Sequence, residues 1–409
     1  MNGTPQSLRK RVVVAGRVNA GKSTFLNLLC DAPVALASPH PGTTTDPVLR
    51  AFEFHLAGPV LLVDTGGLDD ATPLGTARAA AARAQAASAD ALVVAAARAW
   101  GKEEVALARA AHARGVKVLA VLTHAAEGAD PASAAPADAV VESDSDWPAE
   151  RLAEMRRQVE DALASFFRAL PSGPPGGLLA GLVPPGRTAV FVAPIDEEAP
   201  KGRLILPEVQ AIRAALDAHA LSLVVQPEEL PRALALLREP PALVVCDSQA
   251  VESTAAATPE PVPLTTFSIL MARLKGDLAR FAAAARVLDT LRPGDRVIVA
   301  EACSHHPAGE DIGRVKLPRW LSEKAGGPVD CVVCAGRTPF PRDRVPRLVL
   351  HCGGCMLSRG EMLSRLDGAG DVPVTNYGVA ISALRGALPR ALFPFPEALS
   401  AWKDAARSP

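Results

Sequence analysis

The sequence has no excess of charge of either sign, few aromatic residues and no long hydrophobic run. Lys and Arg (43) nearly balance Asp and Glu (44), for a formal net charge of −1, whereas general nucleic-acid binders usually have a basic excess. The most apolar windows, such as residues 91–97, are far shorter than the roughly 20 residues that cross a membrane, and we find no signal-peptide pattern. We therefore expect a cytoplasmic protein with no membrane span and no nucleic-acid partner.

Cysteine is also scarce, and its arrangement is uneven. There are seven cysteines, and four of them form two CxxC pairs, Cys331 with Cys334 and Cys352 with Cys355. In a cytosolic chain, this spacing favours metal or redox chemistry over structural disulfides. The pattern therefore argues against a scaffold held together by structural disulfides.

The order of apolar segments indicates an α/β protein of three domains. Residues 11–170 alternate short apolar strands with helices, which predicts a mostly parallel sheet wrapped by helices. Pro- and Gly-rich segments at 171–177 and 259–263 interrupt this pattern and indicate linkers. We predict domains over residues 1–172, 173–262 and 263–409, the last beginning with one helix over residues 265–291.

A phosphate-binding loop follows the first predicted strand. Gly16 begins the pattern G-x4-G-K-S, which continues through Gly21, Lys22 and Ser23 to Thr24. Glycines let backbone N–H groups surround phosphate oxygens, and the helix that follows adds partial positive charge. We expect Lys22 to contact the β- and γ-phosphates and Ser23 to bind Mg²⁺.

Two further segments fit a nucleoside triphosphatase. Asp64 and Gly67 match D-x-x-G after the second strand, so Asp64 would hold Mg²⁺ through water and the Gly67 N–H would sense the γ-phosphate. Three threonines lie where a switch segment would close on the metal: Thr43, Thr44 and Thr45. We expect one of them to reach Mg²⁺, and we assign Lys22, Thr44 and Asp64 to catalysis.

The base-reading element is incomplete. N-K-x-D or T-K-x-D should follow the strand at residues 116–122, but the segment reads Thr123-His124-Ala125-Ala126. No carboxylate stands where guanine N1 and N2 would need an acceptor. GTP is the expected nucleotide, and its preference over ATP is left open.

Two residues resemble those of TrmE–Era-type GTPases. Leu68 follows D-x-x-G, where many GTPases have a water-positioning glutamine, and Asn19 matches the loop asparagine that helps several such proteins bind an activating K⁺. The resemblance implies slow hydrolysis that K⁺ stimulates.

Three cysteines and two histidines near the C-terminus form a candidate metal site. Cys303 and His305 make one group, and His351, Cys352 and Cys355 make the other. Both groups follow predicted strands, and open α/β sheets bind ligands at strand ends. Thiolates suit a 4Fe–4S cluster, whose fourth iron would bind His305, His351, solvent or a guest ligand. The alternative is a structural zinc ion.

With both sites in view, the chain resembles the maturation GTPases of iron-only hydrogenases. Matching segments are Pro41-Gly-Thr-Thr-Thr-Asp-Pro47, Glu301-Ala-Cys-Ser-His-His-Pro307 and His351-Cys-Gly-Gly-Cys-Met-Leu357. The resemblance implies a GTPase domain, a dimerisation domain and a cluster-binding domain, in that order. It also implies a 4Fe–4S cluster on Cys303, Cys352 and Cys355.

The same resemblance implies a set of partners. A diiron precursor, built by radical-SAM maturation enzymes, would be held near the cluster and delivered to apo FeFe-hydrogenase by a homodimer or larger homo-oligomer. The alternative is an RNA-directed GTPase for tRNA modification or ribosome assembly, with zinc on the cysteines. The near-zero net charge favours the hydrogenase interpretation.

Overall fold

The computed structural model describes most of the chain as two compact units. The units span residues 1–171 and 172–409. The described ranges are 8–32, 48–68, 73–170, 177–195, 204–302, 311–336, 340–341 and 343–407. Within these ranges, no helix is long and apolar enough to cross a bilayer.

The first unit is a six-stranded sheet with helices between its strands. Its elements are β1 (Lys10–Ala15), α1 (Lys22–Cys30), β2 (Val48–Phe54), β3 (Gly58–Asp64), α2 (Pro73–Ala87), β4 (Ala91–Ala97), α3 (Lys102–His112), β5 (Lys117–Thr123), β6 (Ala139–Glu142) and α4 (Ala149–Ala169). The strand order is β2-β3-β1-β4-β5-β6, and only β2 is antiparallel to its neighbour in the described sheet.

Apolar side chains alternate between the two faces of this sheet. Val12 and Val14 of β1 pack into one hydrophobic cluster with α1 and α4, and Val13 packs into a second cluster with α3 on the other face. A strand that is buried on both faces reads as a continuous apolar run. This burial fixes the strand ends that position the loops of the phosphate site.

The second unit contains two parallel four-stranded sheets. The first part comprises β7 (Thr188–Val192), α5 (Leu206–Asp217), β8 (Leu221–Val225), α6 (Leu230–Leu236), β9 (Leu243–Cys246), α7 (Val251–Ala257), β10 (Leu264–Thr266) and α8 (Phe267–Lys275). The second part comprises α9 (Leu278–Ala284), β11 (Arg296–Glu301), α10 (Leu317–Ala325), β12 (Asp330–Ala335), β13 (Leu348–His351), α11 (Arg359–Asp367), β14 (Val374–Asn376), α12 (Tyr377–Leu384), α13 (Leu388–Ala391) and α14 (Pro396–Ala405). The strand orders are β10-β9-β7-β8 and β12-β11-β13-β14.

A single hydrophobic core runs through both sheets of the second unit. It includes Phe191 of the first sheet, Val349 of the second sheet and Leu270 of α8. Helix α8 contacts α5, α11 and α12. Helix α8 therefore belongs to the packing of both sheets. Its C-terminal residue, Lys275, is thereby held close to the loop that follows β13.

The predicted α/β class with a mostly parallel sheet is confirmed, but the predicted helix over residues 265–291 is wrong. Thr266 instead ends strand β10 and caps α8, because its hydroxyl accepts a hydrogen bond from Ile269 N at 3.1 Å. Gly276 ends that helix, and Asp277 caps α9 by accepting from Arg280 N. The division into three domains stays a prediction; β10 and α8 lie beyond its boundary at residue 262.

Candidate functional site

The phosphate loop connects β1 to α1. Gly21 adopts a left-handed conformation, with a φ of 72°, directly before the helix, a conformation that glycine adopts at little cost. The Lys22 ammonium donates to the carbonyls of Gly16 at 3.2 Å and Arg17 at 2.7 Å. Because Lys22 is only 8% exposed, its charge is held inside the curve of the loop.

Asp64, at the end of β3, lies beside Ser23. The Ser23 hydroxyl donates to Asp64 Oδ2 at 2.7 Å, and burial raises the pKa of Asp64 while this hydrogen bond opposes the rise. Asp64 Oδ1 is buried and accepts no hydrogen bond from any described residue. A buried carboxylate oxygen next to a serine hydroxyl is a suitable pair of oxygen donors for Mg²⁺.

The D-x-x-G segment touches the phosphate loop directly. A Cβ on Gly67 would lie 2.2 Å from Val18 Cγ2, so only glycine allows this approach. Leu68 N donates to Gly16 O at 3.2 Å, and Leu68 is buried. Asn19 is exposed on the same loop with a φ of 60°. The predicted switch threonines, Thr43, Thr44 and Thr45, lie outside the described residues.

The second candidate site lies where β11 and β13 end. These strands are parallel neighbours with Ala300 opposite His351, so both chains leave the sheet at the same edge. Cys352 N donates to Ala300 O at 2.8 Å, and Ala302 N lies 3.1 Å from Cys352 Sγ. Ala302, which directly precedes Cys303, therefore donates a hydrogen bond to the sulfur of Cys352.

Two of the predicted ligands, Cys303 and His305, lie outside the described residues. Within the described part of the chain, no three His, Cys, Asp or Glu side chains are arranged to hold a metal ion. Neither Cys352 nor Cys355 forms a disulfide within the described part of the chain. Burial raises the pKa of Cys355, and the nearby Lys275 charge opposes this rise.

A buried lysine, which the sequence analysis missed, holds the loop of Cys352 and Cys355. Lys275 is 2% exposed and donates to Gly354 O at 3.0 Å, to Cys355 O at 3.1 Å and to Leu357 O. Burial lowers its pKa to about 8, while Cys355, Glu361 and Cys352 favour its charged form. The lysine thus places a cation beside both thiols.

Both ring nitrogens of His351 are engaged in the described structure. Nδ1 lies 2.7 Å from Cys352 O, so this nitrogen carries the proton, and Nε2 accepts from Arg365 Nε at 3.0 Å. Burial lowers the pKa of His351 to about 4, which keeps the ring neutral near pH 7. Each ring nitrogen thus has a hydrogen-bond partner within the protein. The assignment of His351 as a metal ligand stays a prediction.

The other CxxC pair lies on a strand. Cys331 and Cys334 belong to β12, which pairs with β11. Cys334 is buried in the hydrophobic core and Cys331 is partly buried against it. Burial raises the pKa of both thiols, as is typical of cysteines that pack as core residues.

Family models match three consecutive stretches of this chain. The hydrogen maturase F dimerization domain matches residues 178–276, and the hydrogen maturase F tetramerization domain matches residues 279–394. Together these two matches cover more than half of the chain. The chain belongs to the hydrogen maturase F family. The resemblance to maturation GTPases of iron-only hydrogenases is thereby confirmed.

The N-terminal part of this maturase carries a GTPase domain. Residues 11–124 match the model described as a 50S ribosome-binding GTPase. This match includes the phosphate loop and the D-x-x-G segment, and it ends at His124. It supports binding of GTP and Mg²⁺, and the assignment of particular residues to them stays a prediction.

The curated relatives match short stretches of this chain. The mitochondrial 5-taurinomethyluridine-tRNA synthase subunit GTPB3 of Rattus norvegicus is 57% identical over 58 residues, which is 14% of this chain and 11% of that protein. The tRNA modification GTPase MnmE of Chloroflexus aurantiacus is 46% identical over 79 residues, 18% of this chain and 17% of that protein. The chain thus spans less than a fifth of the length of either relative.

Two solved structures show similarity at low scores. Era of Aquifex aeolicus has a TM-score of 0.27 and 15% identity, and covers 80% of this chain and 92% of that one. The G domain of T. maritima FeoB has a TM-score of 0.29 and 16% identity, and covers 39% of this chain and 99% of that one.

Proposed function

We propose that this maturase is a GTP-hydrolysing scaffold that binds a 4Fe–4S cluster on Cys303, Cys352 and Cys355. The contact of Ala302 N with Cys352 Sγ at 3.1 Å carries this proposal. It places the residue next to Cys303 against the second predicted thiolate. Three soft sulfur donors from two adjacent strand ends fit an iron–sulfur cluster.

The surroundings of the cysteine loop suit an anionic group. Lys275 provides a buried cation next to Cys352 and Cys355, and a cation favours thiolate over thiol. When bound, the cluster would supply an iron that no cysteine occupies, open to His305, His351, solvent or a guest. We propose that this position serves to hold a diiron precursor from radical-SAM enzymes for delivery to apo FeFe-hydrogenase.

The GTPase domain would regulate this transfer. Lys22 would bind the β- and γ-phosphates, and Ser23 and Asp64 would hold Mg²⁺ directly and through water. Thr44, with its neighbours Thr43 and Thr45, would close over the metal when GTP is bound. We propose GTP as the nucleotide because the matched domain is a GTPase.

We also propose that K⁺ stimulates hydrolysis. Asn19 is exposed on the phosphate loop, and its amide oxygen would contact a monovalent ion beside the phosphates. GTP turnover should be several-fold faster in KCl than in NaCl at equal ionic strength. Asn19→Ala should remove that difference, and equal rates in both salts for the unmodified protein would contradict the proposal.

The same chain should form a homo-oligomer through its second unit. Its matched segments are dimerization and tetramerization domains, and β8 is an edge strand of its sheet. Leu221 and Val224 of β8 are 61% and 42% exposed, which is unusual for an edge that faces only water. Leu221→Lys should lower the mass measured by light scattering.

Cluster binding is tested by anaerobic reconstitution of the full chain. The protein should take up about four iron and four sulfide per chain and give a 4Fe–4S EPR signal after reduction. Cys303→Ser should lose this signal and keep nucleotide binding, whereas Cys331→Ser, the matched control on β12, should keep both. A colourless protein that holds only zinc would contradict the proposal and favour the RNA-directed alternative.

A further inference from the structure

A carboxylate connects the loops after β5 and β6, beside a backbone hydrogen bond from Ala125 N to Ser143 O at 3.3 Å. Asp144 follows β6, and its Oδ2 accepts a hydrogen bond from Ala126 N at 2.9 Å. Its Oδ1 accepts from Asp146 N at 3.0 Å. Ala126 is the position at which the sequence pattern requires a base-reading Asp, so a carboxylate does lie against that position, although it comes from a different loop.

The segment that Asp144 contacts is also in contact with the phosphate loop. Thr123, at the end of β5, has its Oγ1 3.1 Å from Ala20 O, and a Cβ on Gly21 would lie 3.0 Å from its Cγ2. Strands β1, β5 and β6 run parallel in one sheet, so their loops leave at the same edge. Asp144 therefore stands at the edge where the nucleotide's base would follow its phosphates.

The chemistry of Asp144 matches guanine rather than adenine. Guanine presents two adjacent donors, N1–H and N2–H, and an ionised carboxylate is an acceptor only. Asp144 is 8% exposed, and the N–H groups of Asp146 and Ala126 hold its pKa below the usual range. A carboxylate has about four lone-pair sites, so one backbone N–H on each oxygen leaves capacity for a base.

We propose that Asp144 is the guanine-specificity residue of this GTPase and replaces the carboxylate that Ala126 lacks. This inference rests on the proposed use of GTP. The base-reading role differs from a purely structural role, in which Asp144 would only hold the two loops together. A clamp would affect every nucleotide equally, whereas a base reader would affect each base differently.

Replacing the carboxylate with an amide separates these two roles. In Asp144→Asn, the side chain keeps its size and gains an N–H donor, which suits the carbonyl at position 2 of xanthine and opposes the N2–H of guanine. Fluorescent GDP, ADP and XDP are titrated against the full chain. We expect Asp144→Asn to bind GDP about tenfold or more weaker and XDP about tenfold tighter.

Two further variants complete the test. Asp146→Asn, two residues away and exposed, should leave all three affinities unchanged. The double variant Ala126→Asp with Asp144→Asn should restore the preference for GDP over XDP. Thermal melting of each variant checks that the fold is intact.

Each outcome has a defined meaning. If Asp144→Asn weakens GDP, ADP and XDP by the same factor, or leaves the GDP-to-XDP ratio unchanged, Asp144 is a clamp and the inference is overturned. If the unmodified chain binds GDP no better than ADP, the proposed use of GTP fails as well. A GDP preference that survives Asp144→Asn overturns the inference alone.

Discussion

Lys22 and Lys275 are both buried lysines that donate hydrogen bonds to loop carbonyls. They differ in the sequence separation between the lysine and the loop. Lys22 bonds carbonyls five and six residues before it. Lys275 bonds carbonyls 79 to 82 residues after it. The phosphate loop is thus a local structure, whereas the cysteine loop depends on the packing of the second unit.

This difference predicts how each loop responds to the loss of its lysine. A local loop keeps its shape through its own backbone conformation, so its lysine serves mainly to bind the ligand. A loop held from a remote helix needs its lysine for shape as well as for charge. Four substitutions test this contrast.

The largest effect is expected for Lys22→Ala. It would remove the proposed charge-assisted hydrogen bonds to two phosphates, each worth about 1.5–3 kcal/mol, so affinity for GTP should fall by about 100-fold or more. The melting temperature should change little because the loop's backbone is unaltered. Nucleotide titration and calorimetry measure both; Lys102→Ala, at the exposed start of α3, is the control. An affinity within threefold of the original would contradict the assignment.

Lys275→Met should damage both stability and cluster uptake. The variant leaves carbonyl oxygens of three residues without this donor, at a cost of about 2–4 kcal/mol in the free energy of unfolding. Iron content after reconstitution should fall although every cysteine remains. Lys324→Met, at a more exposed lysine of α10, should alter neither. Full iron content with unchanged melting would show that the cysteine loop, too, is locally determined.

A smaller loss is expected for Arg365→Met. Without this guanidinium, His351 Nε2 loses its donor, at a cost of about 1–2 kcal/mol. Denaturation in urea should show the loss, and GTP affinity should stay the same because the variant lies in the second unit. Arg407→Met, at a highly exposed arginine, provides the control. Unchanged urea stability would mean that this hydrogen bond is unimportant.

The smallest effect is expected for Thr123→Val. The hydroxyl lies within reach of Ala20 O and Ala96 O, at 3.1 and 3.3 Å, and so connects the phosphate loop to a strand about 100 residues further along the chain. Its loss should cost about 1 kcal/mol and weaken GTP binding a few-fold, with exposed Ser145→Ala unchanged. A loss as large as that of Lys275→Met would remove the contrast between the two loops.

The contrast also explains what could be predicted from the sequence. The phosphate loop and D-x-x-G are short patterns between apolar strands, and the structure brings Ser23 of one into contact with Asp64 of the other. The cysteines were recognisable by residue type and spacing. Lys275 was not, because a lysine that ends an apolar helix gives no local sign of carbonyls about 80 residues away.

Other differences have local causes. Strand β2 was missed because most of its side chains are exposed and its sequence lacks an apolar run. The helix over residues 265–291 was wrong because Thr266 and Asp277 act as caps, signals that the apolar pattern on either side obscured. Asp144 was overlooked because the missing base-reading carboxylate was sought in one loop only.

The continuous core of the second unit has a practical consequence for dissecting this protein. A cut between Gly276 and Asp277 would fall at the junction of the two family domains, yet it would strip α8 from one half and expose apolar surface on both. The fragment that contains Cys352 and Cys355 would lose that helix and, with it, the hydrogen bonds from Lys275 to the cysteine loop. Separately expressed halves should therefore aggregate, and only co-expression should let them reassemble.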